Sequence, residues 1–135
     1  MLLIDASVWV SSGAPSERFH ADSARLVRER NVELAALDLT LYEVANTVGV
    51  KFSQPEQARR LITTVIACCP SERLAAVDAS TLELALALAT EHGLSAYDAA
   101  YVAAARRHGW QLVSIDVRDL VSKGLAITPD AALYP

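Results

Sequence analysis

The stretch Leu2-Leu3-Ile4-Asp5 decides how the rest of the chain is interpreted, because three apolar residues end at an acid. A short, continuous apolar run of this kind is typical of a strand that is buried on both faces of a parallel sheet. We therefore predict a buried strand over Leu2–Ile4 whose carboxyl end carries Asp5.

Similar short apolar runs recur along the chain, separated by segments with helical spacing. The further predicted strands are Leu34–Leu37, Leu74–Val77, Gln111–Ser114 and Leu125–Thr128. The predicted helices extend from Ser16 to about Arg30, onward from Thr40, from Pro55 to about Cys69, from Ser80 to Glu91 and from Ala96 to Arg107. This alternation predicts an α/β domain with a central, mainly parallel sheet of four or five strands and helices on both faces.

The bulk composition fits one globular domain over residues 1–135, with 53% hydrophobic and 21% charged residues. No apolar run approaches the roughly 18 residues that a membrane span needs, and the start of the chain lacks a basic leader. The adjacent Cys68 and Cys69 are expected to be unpaired, small apolar residues at a helix end. We therefore expect a cytoplasmic protein without a membrane partner.

The formal net charge of −4 argues against a protein that coats nucleic acid through bulk positive charge. It is compatible with an enzyme whose acidic centre is offset by bound cations. The three histidines, at positions 20, 92 and 108, show no spacing typical of a metal site or of a catalytic triad. Any reaction centre is therefore expected to use acidic residues.

Four acids are predicted to converge on one edge of the sheet. Asp5 and Asp116 follow predicted strands, and the carboxyl ends of parallel strands are where such sheets bind ligands. Glu43 and Asp98 fall in the first turns of predicted helices that leave strands, and such helices begin at the same edge. Hard divalent cations prefer oxygen ligands, and they assist phosphodiester hydrolysis by activating water.

The same residues have a second interpretation, which the local pattern leaves open. Thr40-Leu41-Tyr42-Glu43 and Ser95-Ala96-Tyr97-Asp98 both match the capping box at the start of a helix. Asp5 also fits a turn or a helix cap, and Asp116 fits a loop acid together with Asp119. On this view the domain would act through protein contacts alone.

Four segments together resemble PIN domains, in the order and spacing typical of that family. They are Leu3-Ile4-Asp5-Ala6-Ser7, Tyr42-Glu43-Val44-Ala45-Asn46, the stretch from Leu94 to Ala105 that contains Ser95-Ala96-Tyr97-Asp98, and Leu112-Val113-Ser114-Ile115-Asp116. The segments span nearly the whole chain. The chain length is most similar to that of the VapC toxins of VapBC toxin–antitoxin pairs.

The resemblance implies a three-layer α/β/α fold and a toxin that is a metal-dependent endoribonuclease. Asp5, Glu43, Asp98 and Asp116 would then be the catalytic residues and would coordinate Mg²⁺ or Mn²⁺. By the same resemblance Ser7 and Ser114 would hydrogen bond to the acids. In the family Thr is common at the position of Ser114, and the serine keeps the hydroxyl. Asp119 is a lesser acidic candidate.

The resemblance also implies an RNA substrate, a VapB-like antitoxin and a homodimer. Basic residues near the last acid, which could line an RNA path, are Arg106, Arg107, Arg118 and Lys123. Three alternatives remain: a PIN nuclease of RNA processing or decay, a DNA-cutting relative, and a non-catalytic protein-binding module with the same fold.

Overall fold

Four short strands form the central sheet in the computed structural model, which describes residues 1–135. They are β1 (Leu2–Ile4), β2 (Leu34–Leu37), β3 (Leu74–Ala75) and β4 (Gln111–Val113). Their order across the sheet is β3-β2-β1-β4, and all neighbouring pairs are parallel. The predicted parallel sheet of four or five strands is confirmed, with four.

Seven α-helices cover this sheet. They are α1 (Ala6–Ser12), α2 (His20–Arg28), α3 (Asp38–Val44), α4 (Pro55–Cys68), α5 (Ala79–His92), α6 (Ala96–His108) and α7 (Pro129–Leu133). A π-helical segment, Ala45–Lys51, continues α3, and a second one, Val117–Val121, follows β4. A short 3₁₀ turn over Ser71–Arg73 leads into β3. None of the helices is both long and apolar enough to cross a bilayer.

The two faces of the sheet belong to two separate apolar cores, because successive side chains of a strand point in opposite directions. Leu3 of β1 belongs to the core that contains the buried face of α6, whereas Ile4 belongs to the core with Trp9 of α1. The buried face of α6 is rich in alanine, so the helix can approach the sheet closely. The structure is thus the predicted three-layer α/β/α arrangement.

Two helices depart from the sequence-based prediction. Residues Ala6–Ser12 form α1, for which no element was predicted, and Asp5 caps it by accepting a hydrogen bond from the backbone N–H of Val8 at 3.2 Å. The helix predicted from Ser16 begins only at His20. The first of these differences places the acid of β1 at the start of a helix.

Two other predicted boundaries were also wrong. Helix α3 begins at Asp38 instead of Thr40, because the Thr40 hydroxyl lies inside the first turn and accepts a hydrogen bond from the backbone N–H of Leu37. The predicted strand Leu125–Thr128 is reduced to one parallel bridge between Ile127 and Val113. Pro129 starts α7 directly afterwards, and proline has no N–H with which to extend a ladder.

Candidate active site

The strand order reverses direction at β1, which has β2 on one side and β4 on the other. In parallel sheets of this kind, the crevice at such a reversal, outside the carboxyl ends of the strands, is the usual ligand site. Asp5 follows β1, and Asp116 lies three residues beyond β4. The topology therefore brings these two acids to the same crevice.

A hydroxyl network fixes the first of these acids in place. The Ser7 hydroxyl donates a hydrogen bond to Asp5 Oδ1 at 2.5 Å and accepts one from the backbone N–H of Ile115 at 3.3 Å. The backbone N–H of Asp5 also donates to the carbonyl of Val113 at 3.2 Å. Asp5 is only 5% exposed, so its carboxylate is held rigidly at the junction of β1 and β4.

The second acid begins the π-helical segment after β4. Asp116 Oδ1 accepts a hydrogen bond from the backbone N–H of Asp119 at 2.9 Å, and the backbone N–H of Asp116 donates to the Ser114 hydroxyl at 3.0 Å. The carboxylate of Asp119 in turn lies 3.8 Å from the ammonium of Lys123. Ser114 and Asp119 thus lie directly beside Asp116.

Glu43 and Asp98 come from two helices that a buried hydrogen bond holds together. The Thr40 hydroxyl of α3 lies 2.9 Å from the Tyr101 hydroxyl of α6. Glu43 is three residues after Thr40, and Asp98 is three residues before Tyr101, so each acid lies one turn from the bond on its own helix. The bond therefore sets the distance between the two helices that carry the acids.

The helix positions decide between capping and other roles for these two residues. Glu43 lies in the second turn of α3, too late to serve as a cap, and its Oε1 atom is buried without a hydrogen-bond partner. The Ser95 hydroxyl does cap α6, through the backbone N–H of Asp98 at 3.1 Å, but the backbone N–H of Ser95 makes no hydrogen bond to the Asp98 carboxylate, so the reciprocal half of a capping box is missing. The prediction that the helix of Asp98 leaves a strand was wrong, because α6 follows α5 through a short turn.

The electrostatics show that the four acids form one interacting group. Burial raises the pKa of Asp5 to about 6, against the lowering effect of Ser114, Ser7 and the Val8 N–H, and the charge of Asp98 raises it further. Burial also raises the pKa of Glu43, the Tyr101 hydroxyl lowers it, and the charges of Asp5 and Asp98 raise it further. Burial, followed by the charge of Asp116, raises the pKa of Asp98.

The donor chemistry of this group fits a hard divalent cation. All the available atoms are carboxylate oxygens, a buried Glu43 oxygen lacks a partner, and the mutual repulsion of the acids would be relieved by positive charge. In their present rotamers, no three acidic, histidine or cysteine side chains are grouped closely enough to hold one ion. The side chains thus have the donor atoms for a divalent cation but are not arranged around one, so their assignment as ligands is a proposal.

Comparison with known proteins identifies the family. The family model described as PIN domain matches residues 2–122. The chain belongs to the PIN domain family. The resemblance inferred from the four sequence segments is thereby confirmed, and the group of acids lies within the matched part of this PIN domain.

Individual relatives agree with this placement. Ribonuclease VapC3 of Pyrobaculum aerophilum is 33% identical over 133 residues, which cover 95% of this PIN domain chain and 98% of that protein. The structure is similar to that of Mycobacterium tuberculosis VapC20, described as a sarcin–ricin loop cleaving toxin, with a TM-score of 0.75, 19% identity, and coverage of 92% and 95% of the two chains. A toxin–antitoxin complex from Klebsiella pneumoniae gives a TM-score of 0.71 at 20% identity, with 96% and 98% covered.

The four basic residues expected near the acids fall into two groups in this PIN domain. Lys123 is close, since its charge lowers the pKa of Asp98, and Arg118 lies 3.5 Å from Asp119. Arg106 and Arg107 lie in the last turn of α6, about 12 Å along the helix axis from Asp98. Arg107 donates to the Asp78 carboxylate at 2.8 Å. Only the first group adjoins the acids.

Sequence reasoning did not identify the buried residues that hold α3 and α6, and so their acids, in position. Tyr101 is 2% exposed and bonded to Thr40, yet in the sequence it is one apolar-face residue of α6 among many. The available signal was a polar hydroxyl on an otherwise alanine-rich buried face, where a tyrosine needs a partner. The partner lies 61 positions away along the chain and was not predictable from local spacing.

Proposed function

We propose that this PIN domain is a metal-dependent endoribonuclease and the toxin component of a toxin–antitoxin pair. The observation that carries the proposal is the group of four interacting acids at the β1–β4 crevice, in which burial raises the pKa of three members. The likeness to a protein named as a ribonuclease, over 95% of this chain, supports RNA as the substrate.

Asp5, Glu43, Asp98 and Asp116 are the proposed catalytic residues and the ligands of Mg²⁺ or Mn²⁺. Bound there, such an ion would polarise the phosphodiester and lower the pKa of an attacking water. Asp5 supplies a rigid ligand, because Ser7 and the N–H of Val8 fix its carboxylate. Asp116 uses Oδ1 for its helix cap, which leaves Oδ2 for another partner.

The surrounding residues have supporting roles in this proposal. The hydroxyls of Ser7 and Ser114 orient the acids, and Asp119 holds Lys123 near the crevice. Lys123 and Arg118 then lie where they can contact the RNA backbone beside the scissile phosphate. Arg106 and Arg107 would contact the RNA only if it extended along the whole length of α6.

The proposed partner is a VapB-like antitoxin, and the proposed assembly is a homodimer in the cytoplasm. The structural neighbour from Klebsiella pneumoniae that is described as a toxin–antitoxin complex supports a protein partner for this fold. An antitoxin that blocks the acids would need to place positive charge among them, because the group is negatively charged and partly buried.

An RNA cleavage assay tests the proposal. The wild-type protein should cleave a single-stranded RNA with Mg²⁺ or Mn²⁺ and lose this activity in EDTA. Asp98→Asn should retain the fold and lose activity by at least about a hundredfold, because it keeps the size of the side chain and removes a charged ligand. Glu72→Gln is the matched control, since Glu72 is exposed directly before β3, at the opposite edge of the sheet.

Two results would contradict the proposal. Full activity of Asp98→Asn would exclude this residue from the site, and an EDTA-resistant rate would exclude metal dependence. A folded wild-type protein that cleaves neither RNA nor the DNA of the same sequence would instead support the non-catalytic alternative, whereas cleavage of the DNA alone would support the DNA-cutting one.

A further inference from the structure

A pocket adjoins the acids on the side of α3. It has a volume of about 410 Å³, and its walls come from α3 and its π-helical extension, with one residue from α6. The residues that matter here are Tyr42, Glu43, Asn46, Lys51 and Tyr97. Because Glu43 belongs both to this pocket and to the group of acids, the pocket is continuous with the candidate active site.

Two aromatic rings at this pocket are open to solvent. Tyr42 is 77% exposed and Tyr97 is 62% exposed, although large aromatic side chains are usually well buried. Each ring immediately precedes one of the four acids in sequence, Glu43 and Asp98, on two different helices. Exposed rings beside a polar groove are suited to stack against planar ligands, and stacking tolerates any nucleobase.

The pocket also contains a free positive charge. The chain has only two lysines, and both are near the acids: Lys123 on the side of Asp98 and Lys51 in the pocket with Glu43. The Lys51 ammonium takes part in none of the ion pairs of the protein. An unpaired ammonium in this pocket, whose one acidic lining residue is Glu43, is suited to bind a phosphate.

Asn46 adds a hydrogen-bonding group to the same wall. Its side chain is exposed, and an amide offers both a donor and an acceptor to the edge of a base. The pocket thus offers rings for a base, an amide for its edge and a cation for a phosphate, which are the parts needed to bind one nucleotide. Its volume lies within the range of pockets that bind small ligands.

We propose that this pocket binds the nucleotide next to the scissile phosphate of a single-stranded RNA. Tyr97 and Tyr42 stack on its base, Asn46 contacts the base edge, and Lys51 binds the flanking phosphate. The inference rests on the proposed ribonuclease function and extends it, because it assigns substrate contacts to residues outside the group of acids.

Binding of a fluorescent eight-nucleotide single-stranded RNA in EDTA tests the ring contact without cleavage. Tyr97→Leu should weaken binding by about tenfold, whereas Tyr97→Phe should bind as the wild type does, because stacking requires only the ring. The matched control is Tyr134→Leu, since Tyr134 is 60% exposed and lies against Arg25 of α2. In the cleavage assay, the Tyr97→Leu change should raise KM more than it lowers kcat.

The salt dependence of binding tests the phosphate contact. Lys51→Gln should reduce the slope of log Kd against log salt concentration by about 0.7, the value for one phosphate contact on a single strand. Arg30→Gln is the control and should leave the slope unchanged, because Arg30 is exposed in the loop before β2. Loss of a merely structural lysine would change the melting temperature and leave the slope as it was.

Three results would overturn the pocket assignment: equal binding by Tyr97→Leu and Tyr134→Leu, an unchanged slope in Lys51→Gln, or a changed molar mass of Tyr97→Leu in solution, which would place the ring in a protein–protein contact. The two proposals fail separately. A wild-type protein that binds the RNA in EDTA yet does not cleave it with metal contradicts the nuclease proposal. If the wild-type protein cleaves RNA and the Tyr97→Leu variant binds and cleaves it equally well, only the pocket assignment is contradicted.

Discussion

At the scale of single residues, the buried carboxylate of Asp5 lowers the stability of the fold when it is ionised. Its pKa is raised from 3.8 to about 6 by burial. Between these two pH values the folded chain retains a proton at Asp5 that the unfolded chain has lost. Stability therefore falls as the pH rises through this interval, and the whole effect, about 3 kcal/mol, is present above pH 6.

Replacement of Asp5 by Asn should remove this effect. In EDTA at pH 7.5, the Asp5→Asn protein should be more stable than the wild type by up to about 3 kcal/mol, because the amide can still accept hydrogen bonds and carries no charge. The difference should shrink towards zero as the pH falls to 4. Urea unfolding at several pH values measures it, and a difference that does not depend on pH would contradict the assigned shift.

Glu43 shows what a local sequence pattern cannot resolve. The spacing from Thr40 to Glu43 predicts a capping box with Thr40 before the helix. The helix instead starts at Asp38, and the Thr40 hydroxyl, inside its first turn, accepts a hydrogen bond from the backbone N–H of Leu37. The pattern does indicate a helix start, but the register of that start depends on how β2 ends. The buried, unpartnered Glu43 oxygen results from packing between elements, to which no sequence spacing is sensitive.

At the scale of elements, the bond between Thr40 and Tyr101 couples α3 to α6. Tyr101→Phe removes it and should lower the free energy of unfolding by about 1–2 kcal/mol, since both hydroxyls are buried. The Tyr101 hydroxyl also lowers the pKa of Glu43, so this pKa should rise in the variant. The acidic limb of the pH–rate profile should then move to higher pH, whereas Tyr97→Phe should leave it in place.

The two ends of α6 should respond differently to loss of charge. Arg107 donates to Asp78 at 2.8 Å and to the Thr81 hydroxyl at 2.6 Å, so Arg107→Gln should lower the urea midpoint and leave RNA cleavage unchanged. Lys123→Gln should raise KM severalfold, because Lys123 lies near Asp98. Steady-state kinetics and urea unfolding of both variants check this, and a raised KM in Arg107→Gln would place RNA along the whole helix.

The elements that the sequence predicts well are those whose signals are local. The apolar run Leu2–Ile4 gives the bounds of β1, and the Ser95 cap and Gly109 stop give those of α6, with Gly109 in the left-handed conformation. Helix α1 lacks such signals, because its cap is Asp5, an acid that also ends a strand. The pocket at Lys51 was not predicted either, since it depends on the π-helical extension of α3 beside α6.

At the scale of the whole molecule, the sheet order explains why residues spread over 112 positions can act together. Acids that follow β1 and β4 become neighbours because these strands pair, and α3 and α6 bring two more from opposite faces of the sheet. The resulting repulsion is built into the native state alone, since the unfolded chain separates the four charges. Any ion that binds all four should therefore stabilise the entire fold.

Thermal unfolding measures this coupling directly. Mn²⁺ at about 100 times its Kd should stabilise the wild-type protein by about 2.7 kcal/mol relative to EDTA, which corresponds to a rise in Tm of roughly 8 °C for a domain of this size. Asp98→Asn should lose most of this rise, because one ligand and one charge are gone. Glu72→Gln should retain all of it, since that acid lies before β3 at the other edge. An equal rise in both variants would show that Mn²⁺ binds elsewhere on the molecule, and no rise in the wild type would show that the four acids do not form its site.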